Sequence, residues 1–225
     1  MIPDIQFIIL AICYCLLFLL CFAVYKMKSE NLVSEKVMNG NWLLLHLRHA
    51  GGIIITAVLP SFLLPVIRED ILAWPAPVDV VQVFFLSITA LLLVLLVIQN
   101  NRGLLAERAV VYKYAFLQAS THLLLRSSFL ACYEWFFRGC ILFSCIENFG
   151  VIAAIGINLV LYVLIHSFNG KKEMYGSIPF GLILCVFTIW YQSVWPAILL
   201  HLMLSSSHEV FLLSVFFNKK SKPVL

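Results

Sequence analysis

The chain has 225 residues, 63% hydrophobic and 12% charged, with a formal net charge of +4 and a mean hydropathy of +1.01. A soluble domain carries about a quarter charged residues and just under half apolar ones. Water cannot solvate so apolar a surface, so a soluble enzyme or binding module is excluded and lipid is the solvent.

A helix needs about 20 apolar residues to cross the hydrocarbon core. In chain order the candidates are 5–25, 48–67, 78–98, 115–146, 150–168, 175–192 and 195–217. The first has no basic residues before it and no Ala-x-Ala site after it, and it reads as a retained span rather than a signal peptide. The second carries Gly51-Gly52, Pro60 and Pro65, which predict a kink. The fourth is too long for one perpendicular crossing, which predicts either a tilt or a break that would raise the count to eight. No Pro/Gly/Ser-rich linker divides the chain. The expectation is an all-α, polytopic transmembrane bundle of about seven spans, with residues 1–225 forming a single domain.

Loop charge sets the orientation. Lys26, Lys28, Lys36, Arg48, Arg102, Arg108, Lys113, Lys171, Lys172, Lys219, Lys220 and Lys222 fall in or beside alternate connections and the tail. The opposite connections hold Arg68, beside Glu69, Asp70 and Asp79. Twelve positive residues against one place the N-terminus outside and the C-terminus in the cytoplasm. The same asymmetry explains the net positive charge without a nucleic-acid partner. The seven cysteines lie in apolar segments with no Cys-x-x-Cys pair, so neither a zinc knuckle nor a disulfide framework is indicated.

Ionisable groups inside a bilayer are costly and mark candidate sites. Here they concentrate in the second half of the chain: His122, Arg126, Glu134, Arg138, His166, His201, His208 and Glu209. Glu134 and Arg138 are four apart, so on a helix they share one face and can pair; alone, such a pair can simply hold helices together. His201, Ser205 and His208 form a polar stripe on the last span. By its angle Tyr133 lies about 100° from Glu134, toward the stripe of His122 and Arg126. A glutamate, two histidines and hydroxyls are the parts of a site that activates water. Two histidines and a glutamate are also a zinc ligand set, although no His-Glu-x-x-His spacing is present.

The segment Tyr133-Glu134-Trp135-Phe136-Phe137-Arg138-Gly139 resembles the Glu-Glu-x-x-x-Arg-Gly motif of the CPBP family. That family comprises the CAAX prenyl endopeptidases and the bacteriocin-processing or immunity (Abi) proteins. Its Phe-x-x-x-His motif is matched by Tyr162 to His166, and its His-x-x-x-Asn motif by His201 to Ser205. The order and spacing also fit, including the Gly181-Leu182-Ile183 run before the last helix, and the similarity covers about residues 115–210.

The resemblance implies peptide hydrolysis by a polarised water in a membrane cavity near the cytoplasmic face, with no metal and no cofactor. Carried over, Glu134 polarises the water, His166 helps hold it, and His201 stabilises the oxyanion. Tyr133, Arg138, Tyr162 and Ser205 support them. The implied partners are a peptide or lipidated-peptide substrate and membrane lipids.

The chain departs from the pattern twice. Tyr133 stands at the first motif glutamate and Ser205 at the motif asparagine. Tyrosine is a poor base at neutral pH, and a serine donates one hydrogen bond where asparagine donates two. A catalytically impaired relative, acting as a membrane immunity or binding protein, is therefore the alternative reading. A small transporter or receptor is disfavoured, because no Gly/Pro-interrupted spans recur in matched halves. The compact chain suggests a bacterial inner membrane.

Overall fold

The computed structural model describes residues 3–29, 42–64, 72–74, 78–101 and 116–217. Seven helices among these residues are long and apolar enough to cross a membrane. We number them α1 (Pro3–Lys26), α2 (Leu43–Leu63), α3 (Val80–Asn101), α4 (116–149), α5 (Val151–His166), α6 (Lys171–Tyr191) and α7 (Trp195–Phe217). No strand occurs among the described residues. The lysines and arginines at 36, 68, 102, 108, 113 and in the tail lie outside the described residues.

Each helix presents apolar side chains outward. On α3, Val80, Phe84, Leu91 and Leu92 are all more than half exposed, a placement that only a lipid environment makes favourable. α3 packs chiefly on α7, α5 on α6, and α2 on α4 and α1. The long fourth segment is not broken into two spans. It runs as one continuous helix through the middle of the bundle, with 83% of its apolar window buried against 11% for α3. α2 and α6 begin earlier than the apolar runs predict, at Leu43 and Lys171.

Two helices widen into π turns, at Ile54–Val58 in α2 and Trp135–Leu142 in α4. The first lies just before Pro60, whose missing N–H deprives the preceding turn of a donor. The predicted kink therefore takes the form of a widened turn. The second falls on the motif residues themselves.

Glycines close the bundle at two junctions. Gly150 (φ 79°) turns α4 into α5 and Gly170 (φ 105°) separates α5 from α6, backbone conformations that a Cβ disfavours. Gly181 permits a close approach. A Cβ there would lie 2.9 Å from Leu159 and 3.0 Å from the Tyr162 ring. That contact draws α6 onto α5 directly beneath the site.

Candidate active site

The site begins on α4, where Glu134 ends the regular helix and Arg138 sits inside the π turn. Both side chains are fully buried, and Arg138 Nη1 lies 3.1 Å from Glu134 Oε2. The i,i+4 spacing read from the sequence thus forms an ion pair within one helix. The guanidinium is further held by Gly181, whose carbonyl accepts from Nη2 at 3.4 Å. It also lies over the Tyr162 ring at 4.1 Å, close enough for a cation–π contact.

The other carboxylate oxygen of Glu134 faces α7. His201 Nδ1 lies 2.5 Å from Glu134 Oε1. A carboxylate only accepts, so Nδ1 carries a proton, and in the neutral tautomer that fits this contact the lone pair lies on Nε2. His166, at the end of α5, is held the same way. Its Nδ1 donates to the Tyr162 carbonyl at 2.9 Å, which again leaves Nε2 available. The His166 and His201 rings stand 6.5 Å apart. Glu134, Arg138, Tyr162, His166 and His201, from three separate spans, therefore share one buried polar centre.

Tyr133 belongs to the same centre. Its ring lies 5.8 Å from Tyr162, 6.3 Å from His166 and 6.2 Å from His201. The helical angle places Tyr133 on the face of His122 and Arg126, where its ring meets Phe129 at 5.6 Å, and from that face it also reaches α5 and α7. The bulky ring reaches across to α5 and α7 because their rings offer the apolar packing it needs. Its hydroxyl, like that of Tyr162, is buried without a hydrogen-bond partner.

Ser205 lies elsewhere. Its hydroxyl accepts from Arg126 Nε at 2.8 Å, one turn beyond His201. Arg126 also pairs with Glu209 Oε1 at 3.0 Å, and Glu209 Oε2 lies 3.2 Å from His122 Nε2. His208 turns to Asn101 of α3 at 3.0 Å. The polar stripe on α7 thus serves three different partners, and only its first member reaches Glu134.

One contributor escaped the sequence reading. Asn158 of α5 donates to the Phe137 carbonyl at 2.6 Å, inside the π turn, and Cys185 Sγ lies 3.4 Å from Asn158 Oδ1. A lone amide within the apolar run Val151–His166 was the available signal. Among the described residues, no group of three or more His, Cys, Asp or Glu is arranged to hold a metal ion.

No curated protein and no solved structure matches the chain. The family model described as Rce1-like, type II CAAX prenyl endopeptidase Rce1-like, matches residues 118–207, which run from α4 into α7 and carry every residue of the centre above. Over this stretch, 90 of the 225 residues, the chain is similar to the Rce1-like type II CAAX prenyl endopeptidases.

Proposed function

We propose that the protein is an intramembrane endopeptidase of the CAAX type, hydrolysing a peptide bond with a water activated between His166 and His201. The observation that carries this reading is the contact of Glu134 Oε1 with His201 Nδ1 at 2.5 Å. A carboxylate behind Nδ1 orients an imidazole and stabilises the imidazolium formed when Nε2 takes a proton. Glu134 Oε1 contacts His201 and Oε2 lies 3.1 Å from Arg138 Nη1. In this scheme Glu134 acts through His201.

In this scheme a water between the two imidazoles attacks the peptide carbonyl carbon. Its proton passes to His201 Nε2 while the new C–O bond forms. Collapse of the tetrahedral intermediate breaks the C–N bond, and the same proton moves to the departing amine. His166, with Nδ1 anchored to the Tyr162 carbonyl, presents Nε2 to the water or the oxyanion. The ring separation of 6.5 Å suits one bridging water, with each hydrogen bond about 2.8–3.0 Å. The substrate is a peptide or lipidated peptide delivered from the bilayer. The active face is cytoplasmic, the N-terminus lies outside, and the host membrane is a bacterial inner membrane.

The Tyr133 ring favours a second reading. It packs against Tyr162, His166 and His201 at the position of the motif's first glutamate, which removes a carboxylate and fills space. The protein would then be a non-catalytic membrane binding or immunity protein. Purified protein in nanodiscs, incubated with prenylated and unprenylated CAAX-type peptides, separates the two. Cleavage by the wild type and its loss in His201→Ala supports the enzyme. No cleavage, with biological function retained in Glu134→Gln, His166→Ala and His201→Ala, supports the binding protein.

A further inference from the structure

A second set of imidazoles, two completely buried and one partly, lies along α4 from the active centre. His46 and His49, three apart on α2, face His122 of α4. Ring centres are 6.2 Å apart for His46 and His122 and 5.5 Å for His49 and His122. His49 and His122 are completely buried. Four ring nitrogens here are buried with no hydrogen-bond partner: His46 Nε2, both nitrogens of His49, and His122 Nδ1. His122 Nε2 is engaged by Glu209.

Orphaned buried donors and acceptors are rare, because each forfeits the hydrogen bond it made in water. Here four of them fall on three neighbouring rings. Each neutral imidazole offers one donor and one acceptor, and a buried water typically uses two to four such partners. The described residues hold no arrangement suited to a metal. Water meets the unpaired donors and acceptors alike.

One ring contacts both this group and the active centre. The Phe129 ring lies 5.6 Å from His49 on one side and 5.6 Å from Tyr133 on the other. It is seated on Gly52 of α2, where a Cβ would come within 2.3 Å of the ring. Only a glycine at 52 leaves room for the ring in that place.

We infer that His46, His49 and His122 line a second, water-holding chamber, and that Phe129, seated on Gly52, is the partition between it and the Glu134–His201 centre. The chamber stands whether or not that centre cleaves a peptide. It gives this bundle an internal water store within the span of its apolar helices, one aromatic ring away from the groups that would use water.

Deuterium uptake at the histidine ring carbon between the two nitrogens, followed by mass spectrometry, tests this without any activity assay. The full chain is placed in lipid nanodiscs in heavy water. His49 and His122, though completely buried, should exchange within about tenfold of half-buried His208. If both stay protonated after His208 has exchanged fully, the chamber is dry and the inference fails. Phe129→Ala and Gly52→Ala disturb the same ring from opposite helices, so misfolding of one leaves the other informative. Either should raise exchange at His201 several-fold with His49 little changed. Unchanged His201 exchange in a folded variant would remove the partition.

Discussion

Glu134 and His201 lie 67 residues apart in sequence and meet with Oε1 2.5 Å from Nδ1, inside the bundle. The contact joins α4 to α7 and fixes which imidazole nitrogen remains free.

Glu134→Gln tests the chemistry of that contact. The amide keeps the shape but cannot stabilise an imidazolium, so cleavage should fall by about 10²–10⁴, measured as kcat on a reconstituted peptide substrate. Arg138 loses its counter-ion, so the fold must be checked in parallel. Breaking a fully buried pair costs about 3–5 kcal/mol, which thermal unfolding in detergent will register.

Tyr133→Phe should be mild. The hydroxyl is buried without a partner, so its removal relieves an unpaired polar atom while the ring packing survives. Thermal stability should hold or rise, and activity should stay within a few-fold. A collapse of cleavage in this variant would give the hydroxyl a direct role in the reaction.

Gly181→Ala places a methyl group 2.9 Å from Leu159 and 3.0 Å from Tyr162. Tyr162 lies under Arg138 and its carbonyl anchors His166. Overpacking should cost about 1–3 kcal/mol and reduce kcat by displacing His166. Gly156→Ala, where nothing lies within 4 Å of the added carbon, is the matched control and should leave both unchanged.

Glu209→Ala removes the common partner of His122 and Arg126. Arg126 retains 23% side-chain exposure, so the loss should be about 2–3 kcal/mol, below that of a fully enclosed pair. Ser205→Ala, which removes one neutral acceptor, should cost less. Unfolding midpoints of the two variants rank them.

The proposed orientation predicts opposite labelling at two described positions. In a cysteine-free background, Trp74→Cys should react with an impermeant thiol reagent in sealed cells, and Lys172→Cys should react only after the membrane is opened. The reverse pattern would invert the bundle.

Composition and hydrophobic runs were sufficient to identify the spans, because the cost of exposing backbone and charge to hydrocarbon leaves helices as the only way for this chain to cross. The Glu134–Arg138 pair was equally legible, being set by helical periodicity within one segment. The partners of His201, Ser205 and His208 were not. They sit on one stripe of α7, yet each faces a different neighbour, and the angles at which helices pack carry no local signature. Tyr133 went to the imidazoles of α5 and α7 for the same reason. Gly52 shows the limit most plainly. In the sequence it is half of a glycine pair that announces a kink, whereas in the bundle it is the seat of Phe129, a ring 77 positions away in sequence. Single-helix geometry depends on neighbours within a turn, whereas a site assembled from several spans exists only once those spans have packed.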